Sequence, residues 1–251
     1  MFIVKGIDFS VKILAIESSA GPASCAVWEE RCILASAAVN TALTHSQTLL
    51  PMVSGMLSNA GLTLTDIDAY AVSAGPGSFT GIRIGVSAVK GMAFSDDRPC
   101  FGVSTLAAIA RNADGLPFDG VVCAVMDARC QQVYSALFAC RSGVLTRLSP
   151  DAAISLEDLK KQLNSVQKPI LMVGDGAQLC YNTFQAEIPA LILAPAHLLY
   201  QQAAGVAREA AELMLSQAPL THQQLQPVYL RLPQAERELR RRQAAQEDMG
   251  V

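Results

Sequence analysis

One succession of secondary structure occurs twice in this chain of 251 residues, and it restricts the fold more than any other feature. Hydrophobic periodicity and turn residues predict three strands, a helix, a strand and a helix in each half. In the first half these elements are predicted at 13–16, 25–28, 32–39, 44–61, 69–74 and 80–94. In the second half they are predicted at 122–126, 132–140, 144–148, 155–163, 170–173 and after Gly176.

Duplicated βββαβα units, in which antiparallel strands come first and a crossover helix follows, are typical of one kind of α/β architecture. The pattern therefore predicts a two-lobed fold of the ribonuclease-H-like or actin-like (ASKHA) class. The alternative is a generic α/β layer protein whose halves match by accident. We expect the first lobe to span 12–108 and the second 109–199, with 200–233 completing the first lobe. Residues 1–11 and 234–251 are expected to be extensions.

Three local features refine this outline. Thr44 and Gln47 have the spacing of a capping box at the start of the first helix, and Pro51 inside that helix predicts a kink or a restart. The helical pattern from His197 to Gln217 is the longest in the chain, and we expect it to cross back to the first lobe. Residues 227–231 are predicted to be extended.

The composition favours a compact globular protein. Hydrophobic residues make up 51% of the chain and charged residues 16%, with a net charge of −3. Such a balance provides no polybasic surface, so unaided tight binding to nucleic acid is not expected. No apolar run reaches the roughly 18 residues of a membrane span, and the N-terminus lacks the order of a signal peptide. We expect a cytoplasmic protein with reduced cysteines.

An acidic residue closes the first strand of each half, Glu17 in one and Asp127 in the other. In actin-like kinases, carboxylates at these strand ends hold magnesium. This position allows an ATP-dependent phosphotransferase as the alternative function. However, the turn after Glu17 has few glycines, and Pro22 removes an amide that could have met a phosphate. The simpler interpretation is that both carboxylates bond neighbouring amides.

A glycine-rich loop precedes the helix that begins near Thr80. It is not a P-loop, because no Gly-Lys-Ser/Thr sequence follows it. Gly75 and Gly77 permit close backbone approach, and Ser78 stands at a helix start that offers amides. These three residues are therefore candidate anion or nucleotide contacts.

The helix after this loop carries apolar residues on more than one side, as expected when one side packs on its own sheet and another on a partner. Gly81, Gly85 and Ala88 form a ridge of small residues that would let another helix approach, while Arg83 and Lys90 share one face. The neighbouring helix carries methionines, which suit an adaptable interface. The alternative is simple burial of both helices in the core.

A metal site is not predicted. His45 stands near the start of the first helix, but a pair of histidine ligands would need a second one at i+4, where Leu49 stands. The three histidines of the chain are far apart in sequence. A metalloprotease or a hydrolase triad based on histidine is therefore not expected.

Six stretches together resemble one family, TsaB, which is also called YeaZ. They are KILAIESSAGPASCAVW, THSQTLLPMV, SAGPGSFTGIRIGVSAVKGMAF, GVSTLAAIA, MDARCQQVY and PVYLR. The resemblance extends from Lys12 to about Arg231. It implies a non-catalytic protein that helps to make threonylcarbamoyladenosine, the modified base beside the anticodon of some tRNAs.

The resemblance also implies partners. TsaD, the paralogue that holds the metal, transfers the threonylcarbamoyl group, and the ATPase TsaE joins the two. The chain is expected to reach tRNA only through this complex and to form a homodimer when TsaD is missing. No cofactor of its own is expected, although ATP or ADP could lie at the interface with the partners.

Two sets of residues are carried over from the resemblance and the motifs. The helices on either side of the glycine-rich loop would contact TsaD through residues on or near this face: Leu49, Met52, Val53, Met56, Arg83, Val86, Val89 and Lys90. Arg129, in the family's Asp-Ala-Arg motif, is a candidate polar contact to partner, nucleotide or tRNA. The full set of such candidates is Glu17, Gly75, Gly77, Ser78, Asp127 and Arg129.

Overall fold

A computed structural model describes residues 10–231, and the first half of the chain forms a five-stranded mixed sheet. Its strands are β1 (Ile13–Glu17), β2 (Ala23–Glu29), β3 (Cys32–Val39), β4 (Ala69–Gly75) and β5 (Cys100–Ser104). They lie in the order β3-β2-β1-β4-β5. β1, β2 and β3 pair antiparallel, and β4 and β5 add in parallel to β1.

The second half repeats this topology. Its strands are β6 (Gly120–Asp127), β7 (Gln132–Arg141), β8 (Val144–Arg147), β9 (Ala152–Ser155), β10 (Ile170–Val173) and β11 (Leu191–Leu193). Their order β8-β7-β6-β10-β11 matches that of the first sheet, and β9 makes an additional pairing with β7. The predicted two-lobed actin-like class is confirmed. The predicted units lacked the fifth strand of each sheet and β9, which have only three to five residues each.

Seven α-helices connect and cover these sheets within the described residues. They are α1 (His45–Asn59), α2 (Phe79–Ala93), α3 (Thr105–Ala110), α4 (Leu156–Asn164), α5 (Ala177–Phe184), α6 (Ala196–Leu199) and α7 (Ala203–Leu213). We call the first sheet with α1, α2 and α7 the first lobe, and the second sheet with α4 and α5 the second lobe.

The start of α1 follows the predicted capping box, since the backbone N–H of Thr44 donates to Gln47 Oε1 at 3.2 Å. Pro51 does not make the helix restart, because α1 runs without interruption from His45 to Asn59. The proline is exposed, so the Gln47 carbonyl that loses its helical donor can turn to solvent. Gly61 follows the helix with φ 67°, a conformation that favours glycine.

The predicted helix from His197 to Gln217 is wrong, because the chain breaks between α6 and α7. Two tertiary hydrogen bonds hold the break. Gln201 is buried and donates through Nε2 to Asp175 Oδ1 at 2.8 Å. The N–H of Ala203 donates to Ser24 Oγ at 2.9 Å. Beyond this break α7 packs on the first sheet, as the sequence predicted for this segment.

The helix α3 belongs to both halves of the core. Leu106 and Ile109 pack with the second sheet, whereas Ala108 packs with α7 and the first sheet. The predicted lobe boundary between residues 108 and 109 therefore falls inside a helix that both lobes share.

The C-terminal strap, which we define as residues 220–231, runs from the first lobe to the second. Leu220 and Cys100 exchange two backbone hydrogen bonds of 2.9 and 2.8 Å, and Leu225 is fully buried in the core of the first lobe. Val228 N–H then donates to the Ala74 carbonyl at 2.7 Å. Arg231 Nη1 donates to the Ala128 carbonyl in the second lobe. The charged tail predicted beyond this strap lies outside the described residues.

A cleft and a groove as candidate functional sites

A cleft of about 500 Å³ opens between the lobes, where β1 and β6 end and the loop after β4 begins. The strap forms one of its walls. Its polar side chains come from both lobes and from the strap: Ser19, Ser78, Asp127, Arg129, Tyr134, Asp175, Tyr229 and Arg231. Of the two acidic strand ends that the sequence indicated, Asp127 lines this cleft, whereas Glu17 is buried behind it.

Glu17 does not face a ligand, which corrects its assignment as a candidate contact. The residue is fully buried, Oε1 accepts from the N–H of Ser19 at 2.6 Å, and Oε2 accepts from the hydroxyl of Ser73. Burial raises the pKa of Glu17, while the hydrogen bonds from Ser19 and Ser73 act in the opposite direction. Both oxygens therefore hold the chain's own turn and strand together.

Asp127 is exposed, in contrast, and its Oδ1 accepts from the N–H of Arg129 at 2.7 Å. The following residues Arg129, Cys130 and Gln131 have φ of 63°, 54° and 58°. A left-handed conformation costs a non-glycine residue roughly 1–2 kcal/mol, so this tight turn stores strain. The strained turn presents the side chain of Arg129 to the cleft.

Asp175 also lines the cleft, and sequence analysis missed it as a site residue. Burial raises the pKa of Asp175, the hydrogen bond from Gln201 lowers it, and the charges of Asp127 and Glu17 raise it. The resulting pKa is about 6. The duplication could have revealed this residue. Gly174-Asp175-Gly176 follows β10 as the glycine-rich loop follows β4.

The glycine-rich loop packs closely against the chain itself, although Gly77 and Ser78 also line the cleft, and their role as anion contacts stays a prediction. A Cβ on Gly75 would lie 2.1 Å from the Val228 carbonyl oxygen, and one on Gly77 would lie 2.5 Å from the Ser19 oxygen. The N–H of Ser78 donates to that same Ser19 oxygen at 2.7 Å, and its hydroxyl accepts from Gly81 N–H at 3.3 Å. These glycines admit the strap and the β1–β2 turn.

The two glycines of the small-residue ridge on α2 also allow close approach of the chain itself, whereas Ala88 lies on the outer surface of the helix. A Cβ on Gly81 would lie 2.1 Å from the Ser18 carbonyl oxygen, and one on Gly85 would lie 2.4 Å from Ser18 Oγ. Ser18 Oγ donates to the Gly81 carbonyl at 2.9 Å. The sequence suggested that a partner helix approaches this ridge. The element that approaches Gly81 and Gly85 is instead the turn after β1.

Five of the eight residues predicted to lie on or near the interface are buried in the first lobe, so their side chains offer little surface to a partner. They are Leu49, Val53, Met56, Val86 and Val89. Their regular spacing reflects the helix faces that pack on the first sheet. The half-buried Met52 packs against the same core. The interface role of the two helices remains a prediction that other residues must carry.

Arg83 and Lys90, also predicted at the interface, bind the strap. Arg83 Nε donates to the Tyr229 hydroxyl at 2.8 Å, and Lys90 Nζ donates to the Leu225 carbonyl at 3.2 Å. Arg83 stays exposed, whereas Lys90 is half-buried.

A groove of about 580 Å³ separates α1 from α2 on the outer surface. Its lining is mostly apolar and includes Leu50, which is 52% exposed, and the half-buried Ile84. His45 lies at one end, where Nε2 is 2.8 Å from the Ala20 carbonyl oxygen. In the described part of the chain, a larger hollow of about 640 Å³ between β3 and α1 is lined without any charged side chain. Among residues 10–231, no helix is long and apolar enough to cross a membrane.

The chain is similar in sequence and in structure to several known proteins. Residues 39–246 match the family model TsaD, described as tRNA N6-adenosine threonylcarbamoyltransferase. The tRNA threonylcarbamoyladenosine biosynthesis protein TsaB of Bacillus subtilis is 34% identical over 66% of this chain and 72% of its own length. TsaB of Escherichia coli is 30% identical over 88% of this chain and 95% of its own.

A solved structure, YeaZ from Pseudomonas aeruginosa, superposes with a TM-score of 0.70 at 29% identity, covering 88% of this chain and all of that one. Two sheets of the same strand order, with a cleft between them, define a two-lobed protein of the actin-like class. Within that class, the chain belongs to the TsaB family, also called YeaZ. The family resemblance of the sequence is thereby confirmed.

Proposed function

We propose that this chain is a non-catalytic subunit in the biosynthesis of tRNA threonylcarbamoyladenosine and that it binds and stabilises a TsaD transferase. The observation that carries this proposal is the open apolar groove between α1 and α2. Leu50 and Ile84 give this groove an apolar surface that water contacts in the lone chain. Covering such a surface with a related subunit provides the hydrophobic gain that drives association.

The absence of transferase chemistry in this chain is part of the proposal. The ring of His45 is engaged with the Ala20 carbonyl, and the buried Leu49 occupies the i+4 position of the expected histidine pair. Leucine cannot ligate a metal ion. The bond-making centre is therefore assigned to TsaD.

The alternative, an ATP-dependent phosphotransferase, finds no support in the cleft. Glu17 would have to leave Ser19 and Ser73 unpaired in order to hold magnesium. The glycines that would admit a phosphate already admit the strap and the β1–β2 turn.

The remaining partners follow from the same assignment. TsaE would join the complex of this chain with TsaD, and ATP or ADP would lie where the partners meet. Transfer RNA would be reached only through the complex, since the net charge of −3 provides no basic surface. Without TsaD, the same groove would pair two copies of this chain.

Leu50→Asp tests the proposal, with Leu148→Asp as a matched control. Leu50 is 52% exposed in the groove, and Leu148 is 57% exposed beyond β8 in the other lobe. A carboxylate buried in an apolar interface without a partner should weaken binding to TsaD at least about 100-fold, or about 2.7 kcal/mol. Titration calorimetry measures the affinity, and a thermal melt checks that both variants stay folded.

The control variant should bind as the wild type does. Val86 and Val89, which the sequence predicted at the interface, are unsuitable for this test, because aspartate at these buried positions would unfold the core. Unchanged binding of Leu50→Asp would refute this groove as the docking surface. Sedimentation of Leu50→Asp without TsaD tests the homodimer, since the variant should stay monomeric.

A further inference from the structure

Arg83 on α2 is held from two sides by aromatic and polar contacts. Its Cζ lies 3.9 Å from the centroid of the Phe79 ring and 5.8 Å from that of Tyr229. The two rings lie 4.9 Å apart with an interplanar angle of 32°. Arg83 Nε donates to the Tyr229 hydroxyl at 2.8 Å. These contacts fix the plane of the guanidinium group.

The opposite edge of this guanidinium carries the two Nη groups. They make no hydrogen bond or ion pair with any residue in 10–231, and the side chain is exposed. Two parallel N–H groups on a planar fork match the two oxygens of a carboxylate. The strap therefore takes one donor of Arg83 and leaves the fork that binds an acid.

Among residues 10–231, Arg83 is also the only Lys, Arg, Asp or Glu side chain in the lining of the groove. A partner that covers an apolar groove with one fixed cation gains specificity when it supplies one acid at that point. A nucleic acid would need several cations to neutralise its phosphates. The groove thus favours a protein carboxylate over an RNA phosphate.

We propose that Tyr229 is a positioning residue, which orients Arg83 at the rim of the groove to form a two-pronged salt bridge with an aspartate or glutamate of the partner subunit. This inference rests on the proposed function, because it names the chemistry of the same docking surface. It also gives the strap a role in binding. The strap, which forms one wall of the cleft, thereby also orients a charged side chain of the groove.

A double-mutant cycle with Tyr229→Phe and Arg83→Ala tests the inference in the full chain, with affinity for TsaD measured by titration calorimetry. Removing the hydroxyl should weaken binding about 3- to 10-fold, and removing the guanidinium about 10- to 100-fold. If Tyr229 acts through Arg83, the double variant should bind as weakly as Arg83→Ala alone. Arg83→Lys, which keeps the charge without the fork, should lose most of the affinity too.

Gln226→Ala serves as the matched control, since Gln226 is exposed on the same strap and makes no hydrogen bond within residues 10–231. It should bind as the wild type does. A merely structural role of Tyr229 would lower the thermal midpoint and give additive losses, and that outcome overturns the inference. Unchanged TsaD affinity of Arg83→Ala, with reduced binding of tRNA by the complex, would overturn it in favour of an RNA contact.

The failure of the proposed function has a different signature. If the wild-type chain does not bind TsaD at all, the proposed docking surface is wrong, and this inference is wrong with it. A wild type that binds TsaD while the two substitutions act independently overturns only the role of Tyr229.

Discussion

The first strand of each lobe ends in the same hydrogen-bonded turn, but the acid of that turn is buried in one lobe and exposed in the other. In each, the acid that ends the first strand accepts a hydrogen bond from the N–H two residues later. The distance is 2.6 Å from Ser19 to Glu17 and 2.7 Å from Arg129 to Asp127. Glu17 is fully buried, whereas Asp127 is exposed at the cleft. The local motif therefore does not determine whether the acid can meet a ligand.

What differs is the packing above each turn. In the first lobe, the glycines of α2 let the helix lie directly on Ser18. The hydroxyl of Ser73 in β4 donates to the second carboxylate oxygen of Glu17. In the second lobe, the turn after Asp127 bulges into the left-handed region and stays open. One half of the cleft has become structural, which is consistent with a chain that acts through its outer surface.

Removing the two acids should give the largest contrast. Glu17→Ala leaves the buried donors of Ser19 and Ser73 without an acceptor and opens a cavity, which should cost about 3–5 kcal/mol of unfolding free energy. Asp127→Ala removes one exposed hydrogen bond and should cost less than about 1 kcal/mol. Urea denaturation of both variants measures the difference. Equal losses would mean that the two turns are not distinguished by burial.

A second test concerns the cause of that burial, the close approach of α2 to the β1–β2 turn. Gly81→Ala places a Cβ 2.1 Å from the Ser18 carbonyl oxygen, so the helix must move and stability should fall by about 1–3 kcal/mol. Gly91, on the same helix, has no atom within 4 Å of an added Cβ.

Gly91→Ala is therefore the matched control, and its better helix propensity should stabilise the protein by about 0.5–1 kcal/mol. The two midpoints in a thermal melt should move in opposite directions. A melt in which both substitutions stabilise the chain would show that α2 does not need its glycine at the turn.

Much of the fold could be predicted from the sequence, because hydrophobic periodicity and capping are local. The strand Ile170–Val173 was predicted without error, and the Thr44–Gln47 cap marks the start of α1. The break between α6 and α7 was not predicted, since it depends on bonds from Gln201 and Ala203 to residues far away in the chain. Short strands such as β11 carry too few residues for a periodic signal.

The site was harder to predict, because a helix face reveals its period and not the element that covers it. Val86 and Val89 have the spacing of either a core face or an interface, and the first sheet covers them. The glycines Gly75 and Gly77 allow close approach, yet sequence spacing does not show that the strap and the β1–β2 turn are what approach. Leu50, one residue from a predicted position, carries the exposed surface instead.

An effect that depends on pH should come from Asp175, the acid that the second lobe places beside Asp127. Burial raises its pKa to about 6, above the roughly 3.9 of an unfolded aspartate. A raised folded pKa contributes stability that is fully present below about pH 4 and is lost as the pH rises through about 6. Asp175→Asn keeps an oxygen that can accept from Gln201 and removes this titration.

The variant should match the wild type near pH 4 and exceed it by about 1–2 kcal/mol near pH 7, as measured by denaturation across this range. Asp114, another acid whose pKa burial raises, contributes to both curves and cancels in the difference. Curves that stay parallel from pH 4 to 7 would mean that the cleft solvates Asp175 as water does. In that case the second half of the cleft is more open than its burial suggests, and the contrast with the closed first half becomes larger.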